Sequence, residues 1–131
     1  MRIYQGVDIV EISKFKNVCI NNKDFVSDIF SEKEIEYCLS KRNPYIHLAG
    51  RFAAKEASLK ALGTGLSATG IDKALREIEV VSESSGKPRL SFSGWTNNIS
   101  NKRGISHLTV SISHTDNYAV AMVILTGQDT V

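Results

Sequence analysis

The stretch RFAAKEASLKALGTG, residues 51–65, has the composition of an α-helix that stops at the glycines near its end. At about 100° per residue, four alanines of this stretch fall on one side of the helix. These alanines are Ala53, Ala54, Ala57 and Ala61. The pattern predicts a surface of small side chains that lets another segment of backbone approach the helix closely.

The other side of this helix carries a single acid, Glu56, which lies with Phe52 and Leu59 on a face that we expect to be partly buried. The cations around it are Arg51, Lys55 and Lys60. One interpretation is a surface pair between Glu56 and Lys60, four residues apart, which would stabilise the helix by about 0.3 kcal/mol. The other is that a carboxylate on a partly buried face needs a cation or a hydrogen-bond donor from elsewhere.

A second acid, Asp8, stands in a strand-like segment, GVDIVEI, between the apolar Val7 and Ile9. Aspartate is a poor strand former, although a solvent-facing strand position would tolerate it. The alternative is that Asp8 and Glu56 together form a site for a hard cation. Mg²⁺ is usually held by one or two protein carboxylates, keeps several waters and completes its coordination with substrate phosphates. The neighbouring lysines and arginines would then bind those phosphates.

The chain divides into a helical first half and a strand-rich second half. RIYQGVDIVEI (residues 2–12) is strand-like, with Gly6 as a bulge or a point of close approach, and SKFKNVCINN (residues 13–22) is helix-like. Ser31 and Glu34 form a capping-box signature at the start of a further helix, and Pro44 ends that helix or begins the next. The later segments are REIEVVSES, KPRLSFS, HLTVSIS and YAVAMVIL as strands, with GWTNNISNKRG as a short helix before the third of them. These features predict an α+β fold in one domain, residues 1–131.

Composition limits the classes of function that the chain can have. A hydrophobic fraction of 42% in 131 residues is ordinary for a globular protein, and no apolar run approaches the roughly 20 residues that span a bilayer. We therefore expect no membrane partner, and the N-terminus, without signal-peptide features, predicts a cytoplasmic location. A net charge of +2 is too small to indicate a nucleic-acid partner. Cys19 and Cys38 lack metal-site or CxxC spacing and are expected to be reduced packing residues.

A third polar element, SISHTDNYAVA, places His114 and Thr115 where a strand enters a turn. A turn histidine is often structural, but the pair has hydrogen-bond donors that would suit a phosphate. GKP, residues 86–88, predicts a hairpin turn with Lys87 exposed.

Together these segments resemble the holo-acyl-carrier-protein synthases, the small bacterial 4′-phosphopantetheinyl transferases. The resemblance rests on GVDIVEI, FSEKEIEYC, LAGRFAAKEASLKALGTG, IEV with GKP, and SISHTDNYAVA, in the family's order and spacing. It implies the 4′-phosphopantetheinyl transferase fold, with an antiparallel sheet packed against helices, and a homotrimer with active sites at subunit interfaces. It also implies transfer of the 4′-phosphopantetheine arm of coenzyme A to a serine of apo acyl carrier protein, with release of adenosine 3′,5′-bisphosphate, for fatty acid biosynthesis.

Carried onto this chain, the resemblance makes Asp8 and Glu56 the ligands of Mg²⁺ and Lys60 a contact to the pyrophosphate of coenzyme A. Asp8, Glu56 and Lys60 would be the catalytic residues. Further contacts to the coenzyme are implied for Arg42, Arg51, Lys87, His114 and Thr115. The base that takes the serine proton stays open between Glu56 and a water on the metal.

The protein substrate implied by the resemblance is acidic, which predicts a basic docking patch. Lys14 and Lys16 are the candidates, although both could be ordinary surface lysines. Relatives often have arginine where Lys14 stands, and lysine lacks the bidentate fork. Two other classes of function stay open: a coenzyme A or nucleotide-binding module without turnover, and a Mg²⁺-dependent hydrolase of pyrophosphates.

Overall fold

The computed structural model describes residues 1–64 and 70–129, which contain five strands and six helices. The strands are β1 (Arg2–Glu11), β2 (Ile78–Ser82), β3 (Pro88–Phe92), β4 (Ile105–His114) and β5 (Tyr118–Gly127). The helices are α1 (Ile12–Asn21), α2 (Phe25–Ile29), α3 (Glu32–Leu39), α4 (Pro44–Leu62), α5 (Ile71–Glu77) and α6 (Gly94–Lys102). The predicted α+β fold is confirmed.

The strands form two antiparallel sheets. In the larger sheet β5 is central, between β1 and β4, while β2 pairs only with β3. Asp8 lies opposite Ala121 of β5, and Val7 lies opposite Met122. Because successive side chains of a strand point to opposite faces, Asp8 and Ala121 share one face of the sheet and Val7 and Met122 share the other.

Helix α4 packs on the face of the larger sheet that carries Ala121, and the predicted alanine surface makes this contact. All four alanines are buried. A Cβ atom on Gly6 would overlap the carbonyl oxygen of Ala57 and would lie 2.8 Å from the backbone nitrogen of Ala61. Gly6 is therefore the point of close approach between β1 and α4, as one of the two sequence interpretations has it.

Gly6→Ala is expected to destabilise the fold, since the added methyl can be accommodated only if β1 moves away from α4. Overpacking of this kind typically costs about 1–3 kcal/mol. Urea denaturation would measure the loss, with Gln5→Ala at the exposed neighbouring position as the control. An unchanged midpoint for Gly6→Ala would contradict the close contact.

The termini of α3 and α4 follow the local signals in the sequence. The Ser31 hydroxyl accepts from the Glu34 backbone N–H, and the Glu34 carboxylate accepts from the Ser31 backbone N–H, so the capping box is confirmed. Pro44 begins α4 rather than ending α3. Gly63 ends α4 in the left-handed conformation at φ 72°, and the Thr64 N–H donates to the Leu59 carbonyl.

The sequence analysis counted Lys55 among the cations around Glu56 that would bind phosphates, and the structure corrects this prediction. The side chain of Lys55 is fully buried, and its ammonium group donates to the Glu34 carboxylate at 2.8 Å and to the carbonyls of Leu75 and Ile78. The Val80 N–H donates to the other oxygen of Glu34. This ion pair joins α3, α4 and the start of β2, so Lys55 is not available to a phosphate.

Two segments differ from the sequence predictions. The predicted strand REIEVVSES begins only at Ile78, because Arg76 and Glu77 end helix α5, which the sequence analysis did not predict. Helix α2 was also not predicted. Gly65 of the predicted terminator lies outside the described residues. Both cysteines are free, as expected, and Cys38 is buried. Within the part of the chain that the structure describes, no helix has the length and apolar character to cross a membrane.

Candidate functional site

Asp8 does not face solvent. It points toward α4, with only 17% of its side chain exposed, while Val7 and Ile9 lie on the outer face of the sheet. The ammonium group of Lys60 donates to Asp8 Oδ1 at 2.9 Å and to the Val7 carbonyl at 3.0 Å. Asp8 therefore shares the inward face of β1 with Tyr4 and Val10, which pack against the core, while Val7 and Ile9 lie on the outward face.

Glu56 is half-buried beside this pair. Its Oε2 atom is buried and has no hydrogen-bond partner. Burial raises the pKa of Glu56, the negative charge of Asp8 raises it further, and Lys60 partly opposes both effects. Since Lys60 pairs with Asp8, the interpretation of Glu56 and Lys60 as a simple surface pair is wrong. Two carboxylates and one lysine thus converge between β1 and α4.

A groove of about 480 Å³ opens over these two carboxylates. Lys14 lies at its edge, with Nζ 3.4 Å from the carboxylate of Glu11. The apolar wall of the groove includes Phe15, Val18, Phe25 and Phe52. The sequence analysis had placed Phe52 on the face of Glu56, but it did not single out Phe15, Val18 or Phe25, although Phe15 and Val18 stand three residues apart on α1. Lys16 is also exposed, but it lies outside the groove, over the ring of Tyr45 at 5.2 Å.

A second polar region surrounds the ring of Tyr37 on α3. The Arg51 guanidinium carbon lies 4.1 Å from the ring centre and the Lys41 Nζ lies 4.6 Å from it. The centre of the His47 ring lies 6.2 Å from the centre of the Tyr37 ring and 6.4 Å from the centre of the His114 ring. We call Lys41, His47, Arg51 and His114 the cationic cluster. The sequence analysis had named only Arg51 and His114 of these four residues.

Arg51 forms the base of the cationic cluster. The side chain is 95% buried, as only 5% of the residue is exposed, and its Nη2 atom donates to the Ser82 hydroxyl at 2.7 Å. Its Nε atom is buried without a hydrogen-bond partner. Burial lowers the pKa of His47, and the charges of Arg51, Lys41 and His114 lower it further.

The other predicted coenzyme contacts lie at exposed positions around this cluster. Thr115 follows His114, and its hydroxyl oxygen accepts from the N–H groups of Asn117 and Tyr118. Arg42 lies between α3 and α4. Lys87 lies in the turn between β2 and β3, beside the residue that pairs with Ser82. Thr115 and Arg42 are thus next in sequence to His114 and Lys41 of the cluster, and Lys87 lies at the end of the hairpin that contains Ser82, the partner of Arg51.

The two regions occupy different sides of α4. Glu56 follows Arg51 by five residues, which corresponds to about 140° around the helix. Glu56 faces the groove beside β1, whereas Arg51 reaches Ser82 at the end of β2. Among residues 1–64 and 70–129 of one chain, no residue of the cationic cluster lines the groove of the carboxylate pair.

Comparison with known proteins gives the family. The profile of the 4′-phosphopantetheinyl transferase superfamily matches residues 5–123. The chain belongs to this superfamily. It is 39% identical over 127 residues to the holo-[acyl-carrier-protein] synthase of Thermoanaerobacter sp. (strain X514), a match that covers 97% of this chain and 89% of the relative. The holo-[acyl-carrier-protein] synthase of Geobacter sp. (strain M21) is 45% identical over 121 residues, with 92% of this chain and 94% of the relative covered.

The fold of the superfamily is also found among solved structures. The Chronobacterium ammoniagenes ACPS-CoA complex superposes with a TM-score of 0.87 at 29% sequence identity, covering 98% of this chain and 100% of that chain. The 4′-phosphopantetheinyl transferase fold predicted from the resemblance is therefore confirmed.

The carboxylates in the groove fit the Mg²⁺ ion that the family implies. Glu56 Oε2 is a buried oxygen without a partner, and Asp8 stands close enough to raise the pKa of Glu56. No group of three or more histidine, cysteine or acidic side chains suited to a metal occurs among residues 1–64 and 70–129. A pair of carboxylates is nevertheless the usual protein share of a Mg²⁺ site that is completed by substrate phosphates.

Glu56→Gln is expected to raise the melting temperature at pH 7.5 when EDTA is present. The raised pKa means that the charged form of Glu56 is less favourable in the folded than in the unfolded chain, so removal of the charge stabilises the fold. The gain should shrink as the pH falls and Glu56 becomes protonated. Thermal melts at pH 7.5 and pH 4.5 would measure it, and a gain that grows toward low pH would contradict the assigned shift.

Proposed function

We infer that the protein transfers the 4′-phosphopantetheine group of coenzyme A to a serine of apo acyl carrier protein, as a holo-acyl-carrier-protein synthase of fatty acid biosynthesis. The observation that carries this inference is the similarity to curated holo-[acyl-carrier-protein] synthases over 97% of the chain. The function is that of a transferase whose co-substrate is coenzyme A. We place it in the cytoplasm and treat residues 1–131 as one domain, in agreement with the sequence predictions.

The reaction is a displacement at phosphorus. The serine oxygen forms a bond to the phosphorus on the pantetheine side, the bridging P–O bond of the pyrophosphate breaks, and adenosine 3′,5′-bisphosphate leaves with the bond's electron pair. The serine proton passes to a base. In reactions of this type the protein mainly aligns the reactants and neutralises charge on oxygen. The enzyme needs no nucleophile of its own.

Asp8 and Glu56 would hold Mg²⁺ in this reaction, through the oxygens that face the groove. The bound ion would neutralise charge on the pyrophosphate oxygens and so favour departure of the bisphosphate. Lys60 is 45% exposed at the edge of the same site and adds a second positive charge beside Asp8.

The groove also supplies a place for the protein substrate. Lys14 lies at its edge and is highly exposed, so it can attract an acidic carrier protein and orient its serine toward Asp8 and Glu56. The apolar wall behind it can bind the apolar parts of a partner helix. Lys16 extends the positive surface along α1. We propose that this combination forms the docking surface for apo acyl carrier protein.

We further propose a homotrimer whose active sites lie between subunits. Two observations support it. The outer face of the larger sheet exposes 52% of Val7, 65% of Ile9 and 49% of Met122, which is typical of a face that another chain covers. The carboxylate pair and the cationic cluster also lie on different sides of one subunit, so a coenzyme that contacts both would need the cluster of a neighbouring chain.

Met122→Glu is expected to dissociate the oligomer, because it places a charge at the centre of the apolar outer face. Light scattering at micromolar concentration should then fall from the mass of a trimer to that of a monomer, with the circular dichroism spectrum retained. Asn101→Glu, at an exposed position of α6, is the matched control. A monomeric mass for the unaltered protein would refute the trimer.

Intact mass spectrometry of apo acyl carrier protein tests the proposed function directly. The carrier protein is incubated with this protein and coenzyme A, in the presence of Mg²⁺ or of EDTA. We expect the mass to rise by one phosphopantetheine group with Mg²⁺ and to stay unchanged with EDTA. Release of adenosine 3′,5′-bisphosphate without a carrier protein would instead indicate a hydrolase.

A further inference from the structure

The cationic cluster contains more positive charge than the described contacts balance. Lys41, Arg51 and His47 lie around the ring of Tyr37, and His114 lies beside His47. None of the four forms an ion pair with a carboxylate within residues 1–64 and 70–129. Like charges held this close repel one another. A bound anion would relieve that repulsion, so the cluster has the chemistry of an anion site.

Of the two histidines in this cluster, His47 is the less exposed to solvent. It is half-buried, whereas His114 is exposed. The groups that face it are Tyr37 of α3, Lys41 just after α3, Arg51 of α4 and His114 of β4. Its pKa is lowered by burial and by the three cationic neighbours, so the ring is neutral at pH 7 when no anion is bound.

We propose that His47 is a further coenzyme-binding residue, which takes up a proton when coenzyme A binds and donates a hydrogen bond to its 3′-phosphate. This inference rests on the proposed function. Coenzyme A carries a pyrophosphate and a 3′-phosphate. The pyrophosphate contains the bond that breaks, so it must reach Asp8, Glu56 and Lys60. The family resemblance implies that Arg51 and His114 contact phosphates of the coenzyme, including the 3′-phosphate, and the cationic cluster that contains them lies on another side of α4.

The 3′-phosphate is a suitable partner for a histidine that changes its charge. A phosphate monoester has a second pKa of about 6 and is therefore mostly dianionic near neutral pH. Its charge favours the protonated ring, which raises the pKa of His47 in the complex above that in the free protein. Binding thus takes up a proton, and coenzyme A should bind more tightly as the pH falls from 8.5 to 6.5.

Isothermal titration calorimetry in the presence of Mg²⁺ tests this assignment. Coenzyme A and dephospho-coenzyme A, which lacks the 3′-phosphate, are titrated at pH 6.5 and pH 8.5 into the unaltered protein, His47→Gln and His47→Arg. The matched control is His107→Gln, an exposed histidine of β4 outside the cluster. At pH 6.5 we expect His47→Gln to weaken binding of coenzyme A about tenfold, the usual effect of losing a charged hydrogen bond.

The comparison of the two ligands and of the two His47 variants tests whether His47 contacts the 3′-phosphate through its positive charge. His47→Gln should weaken coenzyme A binding less at pH 8.5 and should leave dephospho-coenzyme A unaffected at both pH values. His47→Arg, whose charge does not titrate, should restore tight binding and remove the pH dependence. His107→Gln should match the unaltered protein throughout.

Two results would overturn the inference while leaving the proposed function intact. One is that His47→Gln and the unaltered protein bind coenzyme A equally well, while the unaltered protein still transfers phosphopantetheine to the carrier protein. The other is an equal loss for both ligands, which would move the contact away from the 3′-phosphate. If the unaltered protein neither binds coenzyme A nor modifies the carrier protein, the proposed function fails, and the inference fails with it.

Discussion

Asp8→Asn is expected to lower phosphopantetheine transfer at least about 100-fold while leaving the fold intact. Loss of a residue that only supports a metal ligand typically lowers metal affinity or activity about 10- to 100-fold, so loss of a ligand should lower activity more. Asparagine keeps the shape of the side chain and an oxygen that can accept from Lys60, which preserves the contact between β1 and α4. Glu56→Gln should have a similar effect on transfer, because it removes the charge of the second carboxylate.

The measurement is the initial rate of holo carrier protein formation at saturating coenzyme A and Mg²⁺. Asp28→Asn, an exposed aspartate of α2, is the matched control and should retain full activity. A circular dichroism melt of each variant separates loss of chemistry from loss of structure. Near-normal transfer by Asp8→Asn would show that the Asp8 charge is not needed and would refute its assignment as a metal ligand.

Lys55→Met is expected to destabilise the protein by about 3–5 kcal/mol. Removal of one member of a buried ion pair leaves the other charge uncompensated in the interior, and that cost is larger than the net stabilisation of the intact pair. Here the carboxylate of Glu34 would keep the N–H donors of Ser31 and Val80 but would lose its cation. For a domain with a typical stability of about 5–15 kcal/mol, this is a large fraction of the total.

Guanidinium denaturation would measure the effect, with Lys33→Met on the exposed face of α3 as the control. The double variant Lys55→Met with Glu34→Gln should recover part of the loss, because no unpaired charge then remains buried. If Lys55→Met unfolds at the same denaturant concentration as Lys33→Met, the buried pair does not contribute as described.

The candidate site could be predicted in part. The sequence analysis paired Asp8 with Glu56, and the structure brings both into one groove, with Lys60 paired to Asp8. Arg51 and His114 were predicted as phosphate contacts, and the structure places both in the cationic cluster. His47 was not predicted, because a histidine near the start of a helix has no periodic or capping pattern that marks it. Its place in the cluster became visible only when the structure brought its ring beside those of Tyr37 on α3 and His114 on β4.

The sequence by itself determined the features that depend on local interactions. The capping box of Ser31 and Glu34 and the end of α4 at Gly63 follow from hydrogen bonds within a few residues. Pro44 was predicted as a helix boundary, and the structure decided that it begins α4. The alanine surface of α4 follows from helical periodicity, and its small side chains allow the close contact at Gly6.

Only the tertiary structure decided which way the polar groups point. The alternation in β1 defines two faces but not which of them meets α4, and the packing turns Asp8 inward and Val7 outward. In the same way, Lys55 and Lys60 read alike in the sequence, yet one pairs with Glu34 in the interior and the other with Asp8 at the groove. The physical reason is that a charge takes its role from the partners and the solvent around it, and distant segments of the chain supply both.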